Sequence, residues 1–486
     1  MRNVFLALPS RFCYNIFILT TRLVQFEEIS MSFRAFLAIS LCKVLRFLSR
    51  LLRRGGTAMP GRWAVKVCPN LLSLLAGYVK TIAVTGTNGK TSTARMIEAA
   101  FQEEGVSYLI NRSGANLMSG IVTEFVMNST LTGRCRREYA VIECDEAAAR
   151  TVFSQLRPRV VLVTNLFRDQ LDRYGEVTHT LENIRTGLQG TPDALLCLNA
   201  DCSLTASLAQ DLPNRAVFYG IEKGAVPSRE KPEISDATHC IRCKTEYDYD
   251  YITYAHLGGF RCPHCGYSRP AAAYAVTEVQ ALRADSSTVT MHFRGEDHRV
   301  DVNLPALYNV YNAAGALAAL SELGIRTDHV IRALAAFRCG FGRMEQFAIG
   351  GGLRLMLVKN PAGCNQVLEF LQGVTEDYIL VICLNDRGAD GTDVSWIWDA
   401  DFEKLSSLLP NLREVIVSGD RAADMHVRIK YAGIDEGMIS EERNYEALVS
   451  RLSGSSLPVF VMPTYTALLD LRSVIVRHAG GSEFWE

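Results

Sequence analysis

Val79-Lys80-Thr81-Ile82-Ala83-Val84-Thr85-Gly86-Thr87-Asn88-Gly89-Lys90-Thr91 is an apolar run that breaks on two glycines and ends in Lys-Thr. Val79 to Thr85 reads as a buried strand, followed by a tight turn and a helix from Thr91 to Glu104 that Gly105 stops. A strand, a glycine turn and a helix in that order aim successive backbone N–H groups at phosphate oxygens. Gly86 and Gly89 permit close approach and Thr87 and Asn88 lie between them. Lys90 can neutralise terminal phosphates, and the hydroxyl of Thr91, with Ser92 beside it, can ligate magnesium. The strict eight-position nucleotide loop has glycine where this chain has Val84, so this is a variant of it.

Working outward, Tyr139 to Ile142, Val160 to Thr164 and Ala194 to Leu198 are further apolar strand candidates separated by helical stretches, an order that predicts a parallel sheet with crossover helices. Glu143 and Asp145 follow the first of these. Glu143 is a candidate magnesium ligand, and Asp145 would share its strand face if the strand continued that far. A helix over Asn309 to Leu320 closes this region. The pattern restarts near Phe347, with strand candidates Leu353 to Val358, Ile379 to Leu384, Glu414 to Ser418 and Val459 to Met462. The expected division is an extension over 1–30 that is disordered or not native-like, a helical segment over 31–78, a central ATP-binding domain over 79–346 and a C-terminal α/β domain over 347–486.

A cysteine-rich insert at about 231–270 interrupts the central region. Cys240-x2-Cys243 and Cys262-x2-Cys265, 18 residues apart, have the spacing that gathers four thiolates into a tetrahedron around zinc. Four thiolates leave no open coordination position, so the zinc is structural and His239, His256 and His264 are bystanders. No basic and aromatic stripe accompanies the ribbon, and Lys plus Arg number 51 against 52 for Asp plus Glu, so nucleic acid is not an expected partner.

Fourteen cysteines in 486 residues, without a cleavable signal, point to reduced thiols and a cytoplasmic protein. Cys144, Cys339, Cys364 and Cys383 read as buried small hydrophobes. Arg2, Arg11, Arg22, Glu27 and Arg34 interrupt the apolar N-terminus, which argues against a membrane span. Phe33, Phe36, Leu37, Leu41, Val44, Leu45 and Leu48 recur at helical spacing among Lys43, Arg46, Arg50, Arg53 and Arg54. This basic amphipathic helix is expected to pack on the adjacent domain, with a peripheral position at an anionic membrane surface as the open alternative.

Thr85 to Thr91 resembles the nucleotide loop of Mur ligases and folylpolyglutamate synthases. Thr164-Asn165 with Asp169, Asn199-Ala200-Asp201, Tyr308-Asn309 with Asn312, and Gly342-Arg343-Met344-Glu345 are similar to further segments of that superfamily in the same order. Asp169-Gln170 stands where an ordinary Mur ligase has Asp-His, Tyr308-Asn309 where it has His-Asn, and Leu357-Val358-Lys359-Asn360-Pro361 where it has Tyr-Ala-His-Asn-Pro. Those departures, the ribbon, Asn111 to Asn116, and Asn385-Asp386 followed by Ala389-Asp390-Gly391-x-Asp393-Val394-Ser395-Trp396-x-Trp398-Asp399 resemble the MurT family, the synthetase subunit of lipid II isoglutaminyl synthases.

The resemblance implies a Mur ligase-like central ATPase domain with an inserted four-cysteine zinc ribbon and a second C-terminal α/β domain. It implies ATP-dependent amidation of the α-carboxylate of D-glutamate in the lipid II stem peptide, through an acyl phosphate. The ammonia would come from a separate glutaminase subunit resembling GatD, for which this chain has no Gly-x-Cys-x-Gly nucleophile elbow of its own. By the same resemblance ATP, Mg2+ and Zn2+ are the cofactors, Lys90 and Glu143 act in catalysis, and Asn309, Asn312 and Arg343 contact the nucleotide. One of Asp386, Asp390 and Asp393, with Asp390 favoured, would complete a Cys-His-Asp arrangement on the partner. An amino-acid ligase of the Mur or folylpolyglutamate kind, and a nucleotide-switched zinc-ribbon binding protein, stay open at this point.

Overall fold

The computed structural model describes residues 33–51, 58–111, 115–168, 177–229, 236–283, 285–338 and 343–479. The expectations for residues 1–30, Asp169, Gln170 and Cys339 lie outside the described residues.

The chain is an α/β protein built on two large sheets. The first takes β1 (Lys80–Thr85), β2 (Tyr108–Ile110), β3 (Tyr139–Glu143), β4 (Val160–Val163), β5 (Leu195–Asn199) and β6 (Ala216–Ile221). The hairpin β7 (Asp248–Tyr254) and β8 (Leu257–Arg261) forms a separate two-stranded sheet. The chain returns to the first sheet with β9 (Tyr274–Leu282), β10 (Ser287–Phe293) and β11 (Glu296–Val302). The order is β11-β10-β9-β6-β5-β4-β1-β3-β2. All but the first residue of β1 are buried, as a continuous apolar run requires when helices cover both faces.

The expected parallel sheet is corrected at one edge. β9, β10 and β11 pair antiparallel, and the β10–β11 hairpin turns at Arg294-Gly295, both at positive φ. Side chains there alternate between core and solvent, a period that suits a sheet edge with one wet face.

The second sheet has the order β12-β13-β17-β14-β15-β16, with β12 (Arg343–Phe347), β13 (Leu353–Met356), β14 (Tyr378–Cys383), β15 (Leu412–Ser418), β16 (Ile439–Glu441) and β17 (Val459–Pro463). Its pairings are parallel apart from β12 with β13. Separate apolar cores cover its two faces.

Residues 33–51 are helical. The helix does pack on the central core, but through Ala35, Ala38, Ile39 and Cys42, while Phe33, Phe36, Leu37, Val44 and Leu48 of the expected stripe face outward. Small side chains allow the close approach, and Lys43 Nζ donates to Ser129 O at 2.5 Å to hold it there.

Candidate functional site

In the sheet order β1 stands between β4 and β3, so the chain reverses its direction of travel at β1 and leaves a crevice beyond that strand's carboxyl end. The loop after β1 fills this crevice. Gly86 has φ +118, and a Cβ on it would stand 2.4 Å from Thr164 Oγ1 and 2.7 Å from Asn165 O. Gly89 has φ +86, and a Cβ there would stand 2.1 Å from Asn312 Oδ1. Both glycines are therefore required by backbone angle and by space.

Lys90 opens the helix Lys90–Glu104, and its ammonium is buried. Nζ donates to Gly86 O at 2.5 Å and to Glu146 Oε1 at 2.7 Å. Burial alone would lower its pKa, but Glu146, Glu143 and Asp145 outweigh this and hold it above the usual lysine value. Burial pushes Glu146 up, against the pull of Lys90. Glu146 was not singled out by sequence.

Glu143 is the last residue of β3, beside Val84 of β1, and is buried. Its backbone is fixed by Asn111, whose Nδ2 donates to Glu143 O at 2.7 Å and whose Oδ1 accepts from Glu143 N at 2.8 Å. Asp145 does not share its strand face, because β3 stops at Glu143. Its Oδ1 instead accepts from Ala147 N at 3.0 Å in the turn that leads to the helix Ala149–Leu156.

Thr87 and Asn88 are tied into the loop's own architecture. Thr87 Oγ1 donates to Phe167 O and accepts from Phe167 N. Asn88 N donates to Asn165 Oδ1 at 2.9 Å, and Asn88 O accepts from Thr164 Oγ1 at 2.7 Å. Thr91 and Ser92 follow in the first helical turn. Asn309 and Asn312 lie on the helix Leu307–Leu323, where Asn312 Nδ2 donates to Asn309 Oδ1 at 3.2 Å. From the second sheet, Asn360 Nδ2 donates to Asn88 Oδ1 at 3.1 Å, while Asn360 Oδ1 caps the helix Pro361–Gln372 by accepting from Gly363 N. The side chain of Arg343, at the start of β12, lies outside the described residues.

Between the helices Leu307–Leu323 and Pro361–Gln372 is a cavity of about 160 Å³ whose lining includes Leu307, Tyr308, Gln366 and Phe370. The three C-terminal aspartates are separated by their surroundings. Asp386 pairs with Arg421 at 2.9 Å. Asp390 is buried, with Oδ1 accepting from Thr466 N at 2.7 Å and Oδ2 from Thr466 Oγ1. Asp393 is exposed and accepts from Ser395 N at 2.8 Å.

The four sulfurs of Cys240, Cys243, Cys262 and Cys265 lie within 4.8 Å of one another, and none of these cysteines is in a disulfide. Each pair closes a matching turn, with Lys244 N donating to Cys240 O and Gly266 N to Cys262 O, and with Lys244 and Gly266 at positive φ. His239 and His264 are exposed, and His256 is buried 3.5 Å from Cys202 Sγ. Tyr311, beside Asn312, donates to Asp201 Oδ2 at 2.5 Å and shares a hydrogen bond with Thr253 of β7, while Arg269 Nε donates to Asp201 Oδ1 at 2.6 Å. Asp201 thus links the ribbon to the helix that carries Asn312. Burial pushes the thiols of Cys144 and Cys364 up, and that of Cys383 to about 12, which removes them as nucleophiles at neutral pH.

A Mur ligase middle-domain model matches residues 84–260, and a MurT ligase C-terminal model matches residues 357–468. The chain is 32% identical over 431 residues to the MurT subunit of lipid II isoglutaminyl synthase (glutamine-hydrolyzing) of Streptococcus pneumoniae, covering 88% of this chain and 94% of that one. It is 32% identical over 452 residues to the same subunit from Staphylococcus aureus, covering 93% of this chain and 100% of that one. The chain belongs to the MurT family. As a MurT-family chain it is an ATP-dependent carbon–nitrogen ligase of the Mur ligase superfamily. The fold agrees with solved Mur-type structures: a pseudomurein peptide ligase type C from Methanothermus fervidus (TM-score 0.61, 21% identity, 82% of this chain and 79% of that one) and MurF from Acinetobacter baumannii (TM-score 0.62, 14% identity, 85% and 80%).

Proposed function

We propose that this MurT-family chain is the synthetase half of a two-subunit enzyme that amidates the α-carboxylate of D-glutamate in the lipid II stem peptide. The observation that supports this most is the convergence of Lys90, Asn312 and Asn360 on one phosphate loop, in a chain that matches MurT subunits over 93% of its length.

In this reading Lys90 leaves Glu146 to draw charge from the transferring phosphoryl group while the substrate carboxylate attacks it in line. The resulting acyl phosphate has a leaving group that a bare carboxylate lacks. ADP leaves as the acyl phosphate forms, and ammonia then attacks the acyl carbon, expelling phosphate and losing a proton to give the primary amide. Thr91, in the first turn of the helix after the loop, and Glu143, where β3 ends beside β1, offer hard oxygen donors of the kind magnesium takes. Bound there, the ion would neutralise charge on the nucleotide phosphates. Asn309 and Asn312 position the nucleotide, Arg343 contacts it, and the cavity beside Tyr308 accepts its base. The four-cysteine cluster fits a structural zinc, since its donors are all sulfur and leave no open position.

Ammonia would come from a separate glutaminase subunit. An aspartate serving that subunit's histidine must reach across an interface, and among the three candidates Asp393 is the exposed one, so Asp393 ranks first in this reading, ahead of Asp390 and Asp386. Muropeptide mass spectrometry after depletion of this chain tests the proposal. Loss of the amidated stem peptide is expected, and unchanged amidation would overturn it.

A further inference from the structure

We propose that the outward face of the helix over residues 33–51, with Met59 and Trp63 beside it in sequence, seats this chain on an anionic lipid bilayer. Phe33, Phe36, Val44, Phe47, Leu48 and Leu51 are all exposed, Phe47 at 67% and Leu51 at 70%. Counted from Phe33 they fall at i, i+3, i+11, i+14, i+15 and i+18, which a helix gathers into an arc of roughly 120°. Ala35, Ala38, Ile39 and Cys42 form the opposite face and are the ones packed on the protein. The helix therefore turns its smaller apolar residues to its own core and its bulkier ones to the outside, the reverse of what burial in a single-chain core would select.

The charge around this face identifies its partner. From position 29 through 67, across this helix and the next, every charged residue is Lys or Arg, and Arg46 is drawn by the Glu124 carboxylate. On the helix, exposed Arg34 stands on one flank of the apolar arc and exposed Arg50 on the other, while Lys43 is turned inward to Ser129. The next helix, Ala58–Val67, adds exposed Met59 and Trp63 together with Arg62 and Lys66, and Lys66 Nζ sits 4.6 Å from the Trp63 ring centroid. Bulky apolar side chains flanked by cations, and an exposed indole on the next helix, suit the boundary between headgroups and acyl chains: the apolar side chains enter it and the cations meet lipid phosphates. No described helix is long and apolar enough to cross a membrane, so the helix lies on the surface. This inference does not depend on the amidation reading.

Co-sedimentation of the full chain with vesicles tests it, using phosphatidylcholine with and without phosphatidylglycerol, while Trp63 fluorescence is followed. The chain is expected to bind the phosphatidylglycerol vesicles, to shift its emission to the blue, and to be released by salt. The double variant Phe47→Glu/Leu51→Glu should lower the bound fraction roughly ten-fold with unchanged circular dichroism. Equal binding by the parent and the variant, or no binding of the parent to phosphatidylglycerol vesicles, would overturn the proposal. So would a parent that is a dimer in gel filtration while the variant is a monomer, because a second copy would then cover this face.

Discussion

Asn360 Nδ2 donates a hydrogen bond to Asn88 Oδ1 at 3.1 Å, joining the start of a helix on the second sheet to the tip of the loop after β1, 272 positions away in the chain. The same Asn360 side chain caps its own helix through Oδ1, so one residue fixes a helix and ties it to the nucleotide loop.

The two roles can be separated. Asn360→Ala removes both, with a loss of about 1 kcal/mol for the cap and a several-fold rise in KM for ATP. Asn360→Asp keeps an acceptor for Gly363 N but loses the donor to Asn88, so it should keep the melting temperature and still raise KM. Thermal denaturation and ATP kinetics on the two variants check this.

Lys90→Ala removes the charge proposed to face the phosphates and should lower kcat by roughly 10²-fold or more. It also leaves Glu146 buried without its cation, which costs about 3–5 kcal/mol. Lys90→Ala/Glu146→Gln should recover most of that stability and none of the activity. Denaturant unfolding beside product formation distinguishes the two losses.

The central strands were legible because each is a short continuous apolar run, and the ribbon because its two pairs have a spacing with few other uses. The β9–β11 edge was missed although Arg294-Gly295 sits between two alternating runs, a signal of period two that a search for buried runs passes over. Glu146 was missed for a different reason: Glu143, Asp145 and Glu146 crowd four positions, and only the end of β3 at Glu143 decides which of them turns to Lys90. The departure at Leu357-Val358-Lys359 draws attention from Asn360-Pro361, which keeps the family pattern and is itself a helix-start signal.

Asp390 and Asp393 should respond oppositely to pH. Burial pushes the Asp390 carboxyl above its ordinary 3.8, with Thr466 drawing it part-way back. The folded state then holds more protons than the unfolded one between 3.8 and the raised value, so stability from this group falls as pH rises through that window. Hydrogen bonding from Ser395 holds Asp393 below its ordinary value, so its contribution is present above that value and is lost as pH falls through the lowered one. Asp390→Asn can keep both Thr466 contacts and should flatten the fall in melting temperature as pH rises from 3.8 through the raised value. Asp393→Asn should remove only the loss on the acid side. Melting curves across the acid range check both.

One zinc per chain is expected, and Cys262→Ser should lose it together with soluble yield and thermal stability, since binding to the folded ribbon contributes directly to folding. Because Asp201 links the ribbon to the helix that carries Asn312, KM for ATP should rise in any folded fraction. Elemental analysis with ATP kinetics gives the answer. Metal-free protein of unchanged stability would contradict the structural role.

The most direct measurement is mass spectrometry of lipid II incubated with the chain, ATP, magnesium and an ammonium salt, in parallel with the chain plus its glutaminase partner and glutamine. Both reactions should convert one stem-peptide carboxylate to an amide with stoichiometric ADP, and Asp393→Asn, at the aspartate proposed to serve the partner, should lose the glutamine-driven product alone. No amide in either reaction, from folded protein that binds ATP, would contradict the account.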